Sequence, residues 1–504
     1  SLGIPFLDRN GNGIYDRPNF IYAVGEKFTD MNGNGRYDLG GVTFYDPLTF
    51  HEDALWQSRK IDRYRGELKI FHQAGNHELK LGSALIFEDF ELNEVKRPYI
   101  QYTGREDNGP YGDRGAFRDM WAYQPWRGTV YGRDKLEYGS MIASLGFRWD
   151  FFIQDTEDLK AVAVNDDIGN LIHGDRQKFS PRIGFSYPIS DKAKVYFNYG
   201  HFYQLPQYRR LYARNTTSVD QNDIVGNYNL DYQKTIQYSF GIKYAVTENY
   251  ALDISGYFKD EFDKINSQTV ESESGLTFQQ YLNSDYGRSR GFELTLEKRG
   301  GGYVTGQVSY TYAFAFGKAS ETNTSFQNLF ELSRTPLSEA PLSNDIRHSL
   351  KSAITFYVPT TVKPRLFGVP IFNGWSLSLE AVIESGQPFT PSDLYPGITQ
   401  TTGEDIERNS LRFPTTAVFD ARFAKEFSFY GLDCQAILWV ENIFDSRNVV
   451  FVYSSTGRPD TQQAIRVTDA SGVRSVILGG TEFDGDPSNW DYGRQIRFGF
   501  KVDI

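Results

Sequence analysis

Cysteine is nearly absent from this chain. Cys434 is the single one among 504 residues, so no intrachain disulfide can form and a disulfide-stapled secreted scaffold is excluded, while the redox compartment stays open. Apolar residues are scarce as well. They reach only 39% with a mean hydropathy of -0.49, which disfavours a helical membrane protein built on runs of about 20 apolar residues. Positive charge is in deficit. A net charge of -11 and a pI near 5.2 argue against nucleic acid as a partner, because phosphate-backbone binding draws its affinity from Lys and Arg. Ser1 carries no initiator Met, basic region or apolar core behind it, so any signal peptide lies upstream or has been removed. What is abundant is aromatic: 33 Tyr and 39 Phe within a 16% aromatic content, a composition opposite to that of disordered chains.

Those aromatic residues sit in alternating runs longer than the usual half-buried strand. In the stretch from Gln495 to Ile504, Ile496, Phe498, Phe500, Val502 and Ile504 share one face, while Gln495, Arg497, Lys501 and Asp503 share the other. The same pattern sets Phe292, Leu294 and Leu296 against Glu293, Thr295 and Glu297, and Met141, Ala143, Leu145, Phe147 and Trp149 against Ser144, Arg148 and Asp150. In a soluble sandwich the polar face meets bulk water. In a membrane barrel it lines the lumen and the apolar face meets lipid.

Link lengths separate the two. About fifteen strands are expected, near residues 61–74, 78–94, 127–137, 141–154, 179–187, 193–203, 232–245, 250–264, 286–298, 303–318, 346–358, 373–387, 414–428, 432–455 and 489–504. Tight turns at Gly75-Asn76, Tyr138-Gly139, Ser190-Asp191, Thr247-Glu248, Arg299-Gly300-Gly301 and Tyr430-Gly431, with a longer one over Pro359–Asn373, alternate with polar loops of roughly twenty to thirty residues. Transmembrane barrels have this rhythm, with short periplasmic turns and long extracellular loops. The fold class expected is therefore all-β: a large antiparallel transmembrane β-barrel, with residues 1–58 as an extracellular loop region and 59–504 as the barrel segment. An odd strand count with Ile504 on the periplasmic side further implies at least one strand before Ser1 or on another chain. A propeller or solenoid is the soluble alternative, but no repeat of about forty residues runs through the strands.

Several local patterns carry a family resemblance: Ser180-Pro181-Arg182-Ile183-Gly184, Tyr196 to Tyr203, Tyr286 to Glu293, Asp345-Ile346-Arg347-His348, Ser385-Gly386-Gln387-Pro388-Phe389-Thr390-Pro391 and Val440-Glu441-Asn442-Ile443-Phe444-Asp445. In this order, with the terminal aromatic strand, residues 60–504 resemble the C-terminal barrel portion of TonB-dependent outer-membrane receptors. The resemblance implies a barrel of about twenty-two strands, of which roughly seven lie outside this chain. It also implies a plug domain in the lumen, energy coupling through the TonB complex by way of that plug, outer-membrane lipid around the wall, and a bacterial outer-membrane location. No plug and no TonB box occur in this sequence, so the missing N-terminal plug and strands belong to the same precursor or to another chain. Long polar loops would suit a surface lipoprotein as a lid. The transported nutrient is not encoded in any readable motif.

The sharpest chemical signal lies near the N-terminus. Asp8, Asn10, Asn12, Ile14 and Asp16 recur 22 residues on as Asp30, Asn32, Asn34, Arg36 and Asp38. Oxygen side chains at relative positions 1, 3, 5 and 9, a backbone carbonyl at 7, and Gly for the turn match the first part of a calcium loop. Ile14 and Arg36 would give only their carbonyls, and Glu26 is placed to add a bridging carboxylate. Position 12 lacks the Glu of an EF-hand, having Asn19 and Gly41 instead, so the pair resembles thrombospondin type-3 and dockerin-like calcium repeats. The other reading is that Asp, Asn and Gly here make polar turns only.

Enzyme signals are weak. No nucleophile elbow, P-loop or dinucleotide fingerprint stands in a fitting context, the six histidines form no close zinc spacing, and the expectation is that the chain is not an enzyme. Trp121, Tyr123, Trp126, Tyr203, Tyr208 and Tyr212 form the candidate ligand-binding set, as rings able to stack on a planar solute near the external mouth; an interfacial girdle explains Tyr and Trp as well. The functional expectation is an energy-coupled uptake receptor, and the alternative is an outer-membrane scaffold that anchors surface partners without active transport.

Overall fold

The computed structural model describes residues 55–96, 117–154, 176–213, 224–271, 277–318, 339–361, 373–392, 407–461, 463–468, 474–479 and 486–503. Along the chain come β1 (Leu55–Ala74), β2 (His77–Lys96), β3 (Phe117–Tyr123), β4 (Trp126–Tyr138), β5 (Met141–Ile153), β6 (Arg176–Ser190), β7 (Ala193–Gln204) and the short helix α1 (Tyr208–Tyr212). Then follow β8 (Ile224–Val225), β9 (Gln233–Ala245), β10 (Tyr250–Glu271), β11 (Thr277–Lys298), β12 (Val304–Gly317), β13 (Ala340–Pro341), β14 (His348–Val358) and β15 (Trp375–Glu384). The rest are β16 (Pro388–Phe389), β17 (Leu411–Arg412), β18 (Thr416–Phe429), β19 (Leu432–Glu441), β20 (Gln463–Thr468), β21 (Arg474–Gly479) and β22 (Gln495–Asp503).

Eighteen of these strands join one sheet. Apart from the short β3, β8 and β13, they form an antiparallel meander of fifteen long strands, each paired with the next, from the β1–β2 ladder to the β19–β22 ladder. No helix among the described residues is long and apolar enough to cross a membrane; the strands are. Their outer face is a belt of exposed apolar side chains such as Leu145, Phe147, Trp149, Phe240, Ile242 and Phe292, and Phe498 is 75% exposed. Only lipid makes so much apolar surface stable.

The turns at one end are tight because the backbone permits it. Gly300, Gly301 and Gly302 all sit at positive φ (62°, 61° and 106°), so Arg299-Gly300-Gly301-Gly302 is a turn that residues with a Cβ would strain. At the opposite end the structure differs from the sequence expectation in two places. Residues 265–271 and 277–285 are not loop: β10 and β11 run on, still paired, from Ile265↔Asn283 to Glu271↔Thr277. A register shift between Glu261 and Lys264, with Asp263 at φ 56°, resets the alternation there, so the period-2 pattern stops although the ladder does not. Conversely β19 ends at Glu441, not near 455, because Asn442 (φ 53°) turns the chain left-handed and ties it with its side-chain amide to the carbonyls of Ser446 and Tyr492.

The packed core lies at the long-link end. Leu211, Tyr212, Tyr228, Leu230 and Tyr232, from the link between β7 and β9, bury against Phe90 and Leu92 of β2, Trp121 of β3, Phe152 of β5 and Ile265 of β10. One link touching both β2 and β10 requires a strongly curved sheet, with this link on the concave, lumenal side.

Candidate functional site

Residues 205–213 and 224–232 of the link between β7 and β9 turn inward because they carry enough apolar area to do so. Leu211 and Tyr212 of α1 are fully buried, and each large side chain so covered contributes about 1.5–3 kcal/mol. Polar anchors fix its position. Glu88 and Glu94 lie on the lumenal row of β2 between Ile86, Phe90 and Leu92, and each is 1% exposed. Glu88 accepts from Arg63 at 2.6 Å, from Arg127 at 3.1 Å and from the Tyr208 hydroxyl. Glu94 accepts from Gln57 at 3.2 Å and Arg209 at 2.7 Å. Tyr212 donates to Gln154 at 3.0 Å, and Gln154 and Arg176 both donate to the Tyr228 carbonyl. Carboxylates this well supplied with donors are buried without the usual penalty of an unpaired polar group.

Burial, and next the Glu88 carboxylate, push the Tyr208 phenol above its ordinary value; burial does the same to Tyr212. Both hydroxyls therefore remain donors. Burial also lowers Arg210.

Of the aromatic residues singled out by the sequence, five come together. Tyr123 and Tyr212 lie 4.2 Å apart between ring centroids, Trp121 lies 5.4 Å from Tyr212, Tyr208 lies 5.9 Å from Tyr212, and Tyr203 packs at the edge of the cluster. Trp126 does not join them. It stands on the outer face, 4.8 Å from Phe87, whose ring is 6.2 Å from Tyr64, an arrangement suited to an interfacial girdle. Sequence reasoning missed Arg59, Arg63, Glu88, Phe90, Glu94, Arg127 and Arg209. Its usable signal was the row Ile86, Glu88, Phe90, Leu92, Glu94, where two carboxylates interrupt an otherwise apolar face.

A cavity of about 500 Å³ opens beside α1, lined by Arg59, Arg63, Glu88, Phe90, Trp121, Arg127, Tyr208 and Arg209 among others. Below it along the same wall lies a second, of about 780 Å³, lined by Arg65, Lys80, Tyr131, Arg148, Arg182 and Asn198 among others. The lumenal charges Arg148 and Asp150 pair with each other at 2.6 Å, and Asp253 pairs with Lys243 at 3.0 Å and accepts from Tyr196 at 2.9 Å.

Across the mouth a second inward fold brings two of the family-like patterns together. β16 pairs with β17, and Arg412 of β17 donates to the Asp345 carboxylate at 3.0 Å, to the Asp345 carbonyl at 2.6 Å and to the Gly386 carbonyl at 3.2 Å. Arg347 completes the pair with Asp345 at 2.9 Å. Gly386 is obligatory, since a Cβ there would stand 1.7 Å from the Phe413 carbonyl oxygen. Asn409 donates to the Pro341 carbonyl at 2.6 Å and Arg408 to that of Gly317 at 3.0 Å.

The calcium-type residues, from Asp8 through Asp16 and Glu26 to Asp30 through Asp38, lie outside the described residues. Among the described residues no cluster of His, Cys, Asp and Glu is placed to hold a metal ion. Cys434 lies on the outer-face row with Val502 opposite it, covered to 6% exposure.

Comparison with known proteins agrees with the architecture. The family described as TonB dependent receptor-like, beta-barrel, matches residues 7–443. Among solved structures, the outer membrane transporter YddB from Escherichia coli is similar with a TM-score of 0.53 and 12% identity, over 88% of this chain and 54% of that one. The FrpB iron transporter from Neisseria meningitidis gives 0.52 and 13%, over 88% and 55%. The ferric yersiniabactin uptake receptor FyuA from Yersinia pestis gives 0.51 and 12%, over 89% and 55%. At these identities the likeness is one of fold, and the chain spans about half the length of the structures it matches. No curated protein matches by sequence.

Proposed function

The chain belongs to the TonB-dependent receptor β-barrel family, and from that premise we propose that it is the barrel of an energy-coupled receptor that takes up a nutrient across the bacterial outer membrane. The outer membrane is its location, and outer-membrane lipid surrounds the apolar belt. The observation that carries the uptake reading is the cavity-bearing mouth, where a link held by Glu88 and Glu94 faces a lumen lined with charge. Trp121, Tyr123, Tyr203, Tyr208 and Tyr212 shape this mouth, with Trp121 and Tyr208 exposing part of their surface to the cavity. Energy coupling in this reading runs through a plug domain to the TonB complex, and a surface lipoprotein covers the long links.

The test is growth of a strain deleted for this gene over an array of carbon, nitrogen and metal sources. At least one source is expected to stop supporting growth, with rescue by the gene only while TonB is functional. Growth that ignores both the gene and TonB would leave the anchoring scaffold as the better account.

The proposal extends to the N-terminal repeats. Asp8, Asn10, Asn12, Asp16, Asp30, Asn32, Asn34 and Asp38, with the carbonyls of Ile14 and Arg36 and the Glu26 carboxylate, bind calcium and stiffen an extracellular segment. Calorimetric titration with calcium is expected to show binding that the paired change Asp8→Asn and Asp30→Asn removes; a heat-silent wild-type protein would reduce these loops to polar turns.

A further inference from the structure

We infer that the mouth cavity binds a small organic anion carrying two or more carboxylate or phosphate groups on a planar apolar frame, an inference that rests on the uptake reading above. Among the side chains lining it are four arginines, Arg59, Arg63, Arg127 and Arg209, and one carboxylate, Glu88. Glu88 is already engaged by Arg63 and Arg127, and Arg209 by Glu94. Arg59 has no carboxylate or hydrogen-bond partner among the described residues, so the cavity keeps an uncommitted guanidinium. This excess of cation occurs in a chain whose net charge is -11, and a low-dielectric cleft concentrates the field of such a group on an incoming anion.

A second observation points the same way. Trp121 is 6% exposed and lines the cavity, stacked on Phe90 at 4.8 Å with planes 12° apart, yet among the described residues its indole Nε1–H has no hydrogen-bond partner, nor has the buried Nε–H of Arg127. Buried donors are nearly always satisfied, and an unsatisfied pair beside a cavity marks where acceptor oxygens belong. The flat Phe90–Trp121 pair beside them favours a planar frame.

The wall below continues the chemistry. Arg63 and Arg65 are neighbours on the lumenal row of β1, about 7 Å apart, and Arg65 begins the lower cavity. There Lys80 lies over the Phe71 ring at 5.1 Å and Arg182 over the Phe202 ring at 4.8 Å, and neither has a carboxylate partner among the described residues. Glu67 occupies Arg65 and Lys69 there, and Asp150 occupies Arg148, so Lys80 and Arg182 are the cations left to an anion that leaves the mouth inward.

The probe is benzene-1,3,5-tricarboxylate, titrated calorimetrically into the full chain extracted from outer membranes in detergent, with the neutral benzene-1,3,5-trimethanol as its control. The tricarboxylate is expected to bind and the neutral ring not to, with affinity falling as salt is raised. Arg59→Gln is expected to weaken binding about tenfold and Trp121→Phe about threefold, as loss of one charged and one neutral hydrogen bond. Both variants keep the packing, since Arg59 holds nothing else and Phe retains the stack on Phe90; heat-modifiable migration checks the fold. Equal binding of both ring compounds, or an Arg59→Gln protein that binds the tricarboxylate as well as wild type, overturns the inference. If the tricarboxylate fails to bind while the gene still confers TonB-dependent growth, the anion site falls and the uptake reading stands. Binding that depends on Arg59 without any energised growth upholds the site and overturns uptake.

Discussion

The two inward folds at the mouth solve one problem with different materials. On the β2–β7 side the wall supplies buried carboxylates and the link supplies aromatic rings, Tyr208 and Arg209 reaching Glu88 and Glu94 across 120 and 115 residues of chain. On the β12–β18 side the acid, Asp345, sits in a link, and Arg412 ties it to backbone carbonyls, with Phe389 and Phe413 as a ring pair at 5.5 Å. The first arrangement leaves a cavity with uncommitted donors. The second is a clasp whose hydrogen bonds go largely to main chain, so it holds shape.

If the clasp is structural and the mouth segment a binding element, the clasp must matter more to stability. Asp345→Ala leaves Arg347 and Arg412, whose side chains are 23% and 29% exposed, without their acid, and is expected to cost about 3 kcal/mol, read as an earlier urea transition of the detergent-solubilised protein. An unchanged transition would break the comparison. Glu88→Gln is expected to cost less, about 1–2 kcal/mol, because Arg63 is 54% exposed and can turn to water while the amide still accepts from Tyr208. Its readout is local: faster tryptic cleavage after Arg209 and Arg210 with the urea transition of the barrel little changed. Global unfolding at the same rate as the clasp variant would erase the distinction.

The sequence made the clasp more readable than the mouth. Asp345-Ile346-Arg347-His348 and Ser385 to Pro391 are contiguous, so a family resemblance detects them, although Arg412, which joins the two, lies 67 residues beyond Asp345 and 26 beyond Gly386. The wall was legible for another reason: each ladder turns one face to lipid and the other to the lumen, so the period-2 pattern is clean in strands such as β5, β11 and β22. Legibility failed where alternation is locally reset, as at the Asp263 bulge inside β10, and where a strand stops through one left-handed residue, Asn442. The mouth was half legible. Tyr208, Tyr212 and Trp121 were visible as aromatic residues outside the expected strands, but Glu88 and Glu94, which hold Tyr208 and Arg209, lie in β2, 120 and 115 residues away, and no local rule connects them.

The smallest expected effect concerns pH and separates the folds most cleanly. Tyr208 is held above the ordinary phenol value of 10.0 by burial and by the Glu88 carboxylate, with Arg127 and Arg63 opposing, and Tyr212 is raised by burial, with Arg176 opposing. A raised phenol value means that the fold favours the neutral hydroxyl. Its contribution is fully present below the unfolded value and is lost only as pH rises through the higher folded one. Between about pH 7 and about pH 9 tryptic cleavage after Arg209 should therefore stay constant with respect to these two groups, and it should rise only in stronger alkali. Tyr208→Phe removes the phenolate and its hydrogen bond together, so this variant should show a somewhat higher cleavage rate at neutral pH and a flatter alkaline rise. A variant whose alkaline profile matches wild type would assign the opening to other groups, and the mouth segment would lose the hydrogen bond on which its contrast with the clasp depends.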